Sequence, residues 1–311
     1  MNRQKKNIDN IVKIVLTVCI GVLLLVIGNN KEQIGKIFGE DTKDVNQTSV
    51  NVEKTSFEKV NIKTGNEVIS KITDETGQKI YFFDVGQADS ILIVNNGKTM
   101  LIDGGNNEDG DMLVKYINAL GIFKIDILVG THPHEDHIGG LDNIIKAFDI
   151  GKIYMPKVQT NTKTFEEVLD AISDKGLKVT TPSIGDTFKI GDANCEIMSI
   201  GTDKSNLNST SIVIRMVYKD VSYLFTGDME KENEDKRTWP KTDILKVAHH
   251  GSKTSSSAKF LNQIMPKIAV IQVGKDNSYE HPHNETLKRL EKLGVEVYRN
   301  DLKQTILIEQ K

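Results

Sequence analysis

Hydrophobic and polar positions divide the chain into three textures. From Ile11 to Gly28 it runs through 18 residues whose only charge is Lys13. A helix of that length extends about 27 Å at 1.5 Å per residue, enough to cross the hydrocarbon core of a bilayer. Residues 29–78 are rich in Asn, Lys, Thr, Glu and Val and carry no sustained period of 3.6 or 2, which predicts a flexible tether. From Lys79 onward, short apolar runs alternate with turns containing Gly, Asn and Asp and with helical stretches, so 79–311 reads as one folded domain.

Within that domain the runs predict strands at 80–85, 90–94, 99–102, 126–129, 194–199, 211–218, 221–225, 244–247, 268–272, 295–298 and 305–308. Apolar residues three and four apart predict helices at 111–120, 141–148, 165–175, 258–264 and 284–293. Strand-rich halves joined through helices suggest two sheets with helices outside, an α/β sandwich.

Charge changes the picture only when the apolar run is set apart. The 311 residues carry 40 basic and 43 acidic side chains. Five of the basic ones (Arg3, Lys5, Lys6, Lys13 and Lys31) and one acidic one (Asp9) fall in the first 31, which leaves 35 against 42 in the rest. The outer part therefore has no global basic field with which to hold nucleic acid non-specifically. The basic flank at 1–10 and the absence of a small-residue cleavage pattern after Val26 make 11–28 an uncleaved signal anchor. That places the N-terminus in the cytoplasm and the remainder outside the cell. The two cysteines, Cys19 and Cys195, support neither a disulfide framework nor a cysteine-rich metal site.

All seven histidines lie in three clusters: His132, His134 and His137; His249 and His250; His281 and His283. The first packs three imidazoles and Asp136 into six residues just after an apolar strand. Imidazole with carboxylate suits Zn²⁺, Mn²⁺ or Fe²⁺. His132 and His134, two apart on extended chain, can turn toward one ion, and Asp136 and His137 toward a second at the start of the next helix.

This run is similar to the HxHxDH signature of the metallo-β-lactamase fold. With Phe83-Asp84-Val85-Gly86-Gln87-Ala88-Asp89-Ser90, Leu101-Ile102-Asp103-Gly104-Gly105, Phe225-Thr226-Gly227-Asp228 and Leu245-Lys246-Val247-Ala248-His249-His250-Gly251-Ser252, the region from about 79 to 311 resembles the metallo-hydrolase domain of the ComEC/Rec2 DNA-uptake proteins. The resemblance implies an αββα sandwich with a site for two divalent ions, Zn²⁺ first and Mn²⁺ second. It implies His132 and His134 on the first ion, Asp136 and His137 on the second, and Asp228 bridging. The His-x-Ser order favours His250 over His249 as the last ligand. The family's usual third histidine on the first ion is replaced by Asn208. The resemblance also makes His281 a substrate-contacting or proton-donating group and His283 a bystander.

Asp84 and Asp103 are expected to orient metal-bound imidazoles. Lys246 faces the site or solvent, and Trp239 is expected to be a packing anchor. Two ions can make water nucleophilic at neutral pH and offset phosphoryl charge. Asp136 then takes up a proton, and His281 or a metal-bound water protonates the leaving group. The leading expectation is a membrane-anchored extracellular phosphodiesterase or nuclease with no obligate protein partner. A lactone, thioester or phosphocholine esterase on the same fold, or a metal-retaining binding module without catalysis, are the alternatives.

Overall fold

The computed structural model describes residues 60–311 apart from residue 204. The basic flank, the 11–28 anchor and positions 29–59 of the tether lie outside the described residues. Among the described residues no helix is long and apolar enough to cross a membrane.

Alternation along the strands determines how the layers stack. In β2 (Gln78–Phe82), β3 (Ile91–Asn95) and β4 (Lys98–Ile102), Ile80, Phe82, Ile91, Ile93, Met100 and Ile102 are buried on one face. Tyr81, Leu92, Val94 and Leu101 are buried on the other. A sheet apolar on both faces needs a layer against each.

These strands belong to an eight-stranded sheet in the order β1 (Val60–Thr64), β15 (Ile306–Gln310), β2, β3, β4, β5 (Lys124–Val129), β6 (Asp149–Tyr154) and β7 (Val179–Thr180). Against one face packs a seven-stranded sheet: β14 (Glu296–Arg299), β13 (Ile268–Ile271), β12 (Ile244–Lys246), β11 (Val221–Phe225), β10 (Val213–Tyr218), β9 (Ala193–Ser199) and β8 (Thr187–Ile190). Ile214, Met216, Tyr223 and Phe225 fill the space between the two.

The remaining elements are helices. On the outside of the first sheet, α1 (Gly110–Ala119) contributes Leu113 and Ile117, α3 (Leu141–Ala147) Ile144 and Ile145, and α4 (Lys163–Asp174) Phe165 and Val168. Phe260 and Leu261 of α6 (Ala258–Ile264) and Leu290 of α7 (Asn284–Lys292) cover the second sheet. Short turns of helix complete the set: α2 (Glu135–Ile138), α5 (Lys231–Glu234) and α8 (Asn300–Lys303). The result is an αββα sandwich.

Three differences from the sequence reading have physical reasons. Val60–Thr64, assigned to the tether, pairs antiparallel with β15 as an edge strand, so ordered chain begins at least by residue 60 and the boundary at 79 is too late. Strands β6, β7 and β8 were not anticipated. In β6 the polar residues and Gly151 break the apolar run, yet a Cβ on Gly151 would stand 2.5 Å from the Asp126 carbonyl oxygen, so glycine permits a close strand contact there. The helix expected over 284–293 stops one residue sooner, at Lys292, with Leu293 at its C-cap position and His283 at its N-cap position. Trp239 is a packing anchor as expected, its ring edge-on to Phe260 and its Nε1 donating to the Glu234 carbonyl at 2.9 Å.

Candidate metal centre

Strands β4 and β5 run parallel, as do β11 and β12. The loops leaving their C-terminal ends carry Asp103, the first histidine cluster, Asp228 and the second cluster to one place. Gly139 and Gly140 let these loops close. A Cβ on Gly139 would meet the Asn107 backbone nitrogen at 2.3 Å, and one on Gly140 the Gly104 carbonyl oxygen at 2.4 Å. The contact is then made by hydrogen bonds, Gly104 N–H to the His137 carbonyl at 2.6 Å and Gly139 N–H to the Gly105 carbonyl at 2.9 Å. This brings Asp103 against His137.

Asp136, His137, Asp228 and His250 each offer a ligand atom, and these atoms lie within 4.8 Å of one another. His137 Nε2 is 3.2 Å from Asp228 Oδ1 and 3.7 Å from Asp136 Oδ2. His250 Nε2 is 3.2 Å from Asp136 Oδ2 and 3.7 Å from Asp228 Oδ2. His137 Nε2 and Asp228 Oδ1 are buried without an aligned hydrogen bond. Buried polar atoms left so are costly unless something else satisfies them. Two imidazoles and two carboxylates around one point fit a divalent cation.

The far nitrogens of both rings are held. His137 Nδ1 lies 2.8 Å from Asp103 Oδ2, and Asp103 is itself fixed by the Thr131 N–H at 2.7 Å and the Thr131 hydroxyl at 2.8 Å. His250 Nδ1 lies 3.0 Å from the Gln272 carbonyl oxygen and 3.3 Å from Asp89 Oδ1. Asp89 in turn pairs at 2.6 Å with Lys246, both wholly buried. Lys246 thus faces neither the site nor solvent, and Asp89 does the orienting that the sequence reading gave to Asp84. Asp84 lines the cavity above, its backbone N–H donating to Thr305 Oγ1.

His132 and His134 stand beside this group, His132 Nε2 facing His134 Nδ1 at 3.1 Å, and the His132 and His137 rings are 4.1 Å apart. Ser211 Oγ approaches His132 Nδ1 at 3.3 Å and accepts from the Asp228 N–H at 3.1 Å. Asn208 lies on the same cavity. Its Nδ2 is 3.3 Å from His249 Nε2, and its buried Oδ1 has no hydrogen-bond partner.

The second histidine pair leaves regular backbone. β12 ends at Lys246, and His249 and His250 both take left-handed φ of 50°, so they do not alternate as strand neighbours. Both reach Asp228 Oδ2 to 3.7 Å. Only His250 joins the four-residue group, and His249 Nδ1 lies 2.8 Å from Glu230 Oε1. Glu230, like Asp89, escaped the sequence reading. A lysine inside the apolar strand Ile244–Val247 and a second acid two residues after Asp228 were the available signals.

The electrostatics follow from this crowding. Burial disfavours the charged His250 ring, but Asp228, Asp89 and Asp136 outweigh it and lift its pKa to about 10. His137 is raised for the same reason, against burial, by Asp228, Asp136 and Asp103. Asp228 is held well below its usual value, against burial, by His137, His250 and His249. Protons thus occupy a place whose charge pattern suits a cation. Burial, then the neighbouring His137, leaves His132 neutral with its lone pair available.

His281 lines the same cavity. Gln87 Oε1 accepts from the Gly274 N–H, which turns the amide nitrogen toward His281 Nδ1 at 3.3 Å and leaves the ring proton on Nε2. Burial, then the rings of His249, His250 and His283, hold its pKa at about 4. At neutral pH it is an uncharged hydrogen-bonding group, which suits the substrate-contacting role among the two expected of it. His283 accepts from the Lys253 N–H and does not line the cavity. The cavity measures about 1030 Å³.

Residues 83–275 match the model of the metallo-beta-lactamase superfamily. Among curated proteins, ComE operon protein 3 of Bacillus subtilis is 31% identical over 251 residues, covering 73% of this chain and 32% of that protein. Recombination protein 2 of Haemophilus influenzae is 33% identical over 217 residues, covering 67% of this chain and 26% of that protein. The chain therefore spans about a third or less of these relatives' length. Among solved structures, the metallo-beta-lactamase fold protein YhfI from Bacillus subtilis superposes with a TM-score of 0.52 at 11% identity, over 75% of this chain and 100% of that one.

Proposed function

The chain belongs to the metallo-beta-lactamase superfamily as a metal-dependent hydrolase related to the ComEC/Rec2 competence proteins, and from that premise we propose that it hydrolyses phosphodiesters with two divalent ions, Zn²⁺ first. The observation that carries the metal assignment is the convergence of Asp136, His137, Asp228 and His250, with His132 and His134 alongside. Ions held there supply Lewis acidity that makes water nucleophilic at neutral pH and offsets phosphoryl charge. The recombination name of the Haemophilus influenzae relative supports a phosphodiester as the bond cleaved.

In this reading the water oxygen attacks phosphorus and the P–O bond to the alcohol breaks with its electron pair. Asp136 accepts the proton that water loses, and a solvent proton completes the departing alcohol. Asp103, Asp89 and Gln272 hold the rings, and His281 Nε2–H hydrogen-bonds the substrate.

The same reading includes anchorage through 11–28 with the domain outside the cell. Protease added to intact cells then removes the domain, whereas an intact domain recovered from the cytosol contradicts it. For the chemistry, the full chain in detergent is assayed for metal content and for hydrolysis of bis-p-nitrophenyl phosphate. We expect two ions per chain and a rate that His134→Ala reduces. Metal-loaded protein that leaves this phosphodiester intact while opening a lactone overturns the assignment.

A further inference from the structure

The cavity wall raises the question of what surrounds the phosphodiester. Its carboxylates are Asp84, Glu108, Asp109, Glu135, Asp136 and Asp228, and among the described residues its lining includes no lysine or arginine. Asp136 and Asp228 belong to the metal group. The other four form a wall beyond it, Glu108 and Glu135 exposed at the rim and Asp84 and Asp109 half-buried. The adjoining cavity that shares Asp84 carries Lys275 and Lys303, but these do not line the metal cavity. Tyr116 and Tyr279 add aromatic surface, and Tyr279, 65% exposed, stacks on His281 with ring centroids 5.7 Å apart.

A nucleic-acid strand brings a phosphate on each side of the bond being cut. Proteins that hold such strands set Lys and Arg along the backbone path. Here the ions can neutralise the reacting phosphate, while the flanking phosphates meet carboxylates. A neutral or cationic substituent meets instead a wall of its own preference, acidic and aromatic. The orphaned Asp228 Oδ1 and His137 Nε2 mark the reacting end of the cavity independently of this wall.

We propose that the cavity selects small phosphodiesters whose remainder is neutral or cationic and disfavours polyanions. Asp84, Glu108, Asp109 and Glu135 are the specificity-determining residues, and the proposal rests on the phosphodiesterase reading above.

The test uses the full chain in detergent, loaded with Zn²⁺ or Mn²⁺. It compares kcat/KM for p-nitrophenyl phosphorylcholine, bis-p-nitrophenyl phosphate and a single-stranded DNA oligonucleotide. The zwitterion is expected to be the best substrate, with the oligonucleotide about tenfold or more behind, because several like charges act within a Debye length. Oligonucleotide cleavage should accelerate as salt screens that repulsion, opposite in sign to a basic nucleic-acid site. Combined Asp84→Asn, Glu108→Gln and Glu135→Gln should narrow the zwitterion-to-oligonucleotide ratio about tenfold.

Preferred cleavage of the oligonucleotide, slowed by salt and with a ratio the triple variant leaves unchanged, overturns this proposal alone. Failure to cleave any of the three with ions bound overturns the phosphodiesterase reading as well.

Discussion

The two halves of the metal centre are built to different standards. Around Asp136, His137, Asp228 and His250, four ligand atoms converge. The far side of each ring is pinned there, His137 by Asp103 and His250 by Gln272 and Asp89. The half formed by His132 and His134 has two imidazoles, hydroxyls of Thr131 and Ser211 beside His132 Nδ1, and Asn208 on the same cavity. A ligand fixed from behind loses little freedom when a cation binds, whereas one held by hydroxyls alone is less basic and less constrained. On the two-ion proposal, the difference predicts that the two ions are held with unequal strength.

Removing what the halves share should have the largest effect. Asp228 faces His137, His249 and His250 and is expected to bridge both ions. Asp228→Asn should therefore lose both and lower kcat/KM by about 100-fold or more. Two tightly held ions with full activity in this variant would remove Asp228 from the centre.

Separating His250 from His249 comes next. His250→Ala should weaken the four-residue half at least about tenfold in metal affinity, measured by metal content after dialysis against graded chelator. His249→Ala should leave metal content near normal and act on turnover, since His249 lies outside the four-residue group and lines the cavity. Equal losses would mean that both rings serve as ligands.

A smaller effect is expected behind the rings. Asp103→Asn and Asp89→Asn should each cost roughly tenfold in affinity of the four-residue half and leave the His132 and His134 half unaffected. If Asp89→Asn fails to fold because Lys246 loses its buried partner, Asp103→Asn still carries the test through calorimetric metal titration.

Metal removal gives a pH-dependent prediction. His250 has a folded pKa of about 10 against an ordinary 6.5. Its contribution to the stability of the metal-free chain is complete below 6.5 and lost as pH rises toward about 10. Thermal unfolding of chelated protein should therefore fall across that window. Binding a cation must displace the ring proton, so metal affinity should rise with pH while His250 is protonated. A melting temperature independent of pH over that window would contradict the carboxylate cage around His250.

The parts of this centre that were legible in the sequence are those set by short spacing. His132, His134, Asp136 and His137 lie within six residues, and the apolar runs before Asp228 and His249 announced strands feeding the same edge. What local pattern does not carry is a backbone that leaves its regular form. His249 and His250 follow a strand closely, yet both take left-handed backbone, which their spacing does not show. Nor does it carry partners far apart in sequence: Asp89, on the loop between β2 and β3, meets Lys246 of β12 and His250 just after it, in the other sheet. Val60–Thr64 was hidden in another way. Its apolar–polar alternation spans only five residues within a polar tract, and it becomes a strand by pairing with β15.

The inequality of the two halves is tested most directly by following metal release from the fully loaded chain as chelator strength is raised. Two steps are expected. The early one should be absent in His134→Ala, and the late one absent in His250→Ala. Release of both ions in a single step, or an early step that disappears with His250, would contradict the account.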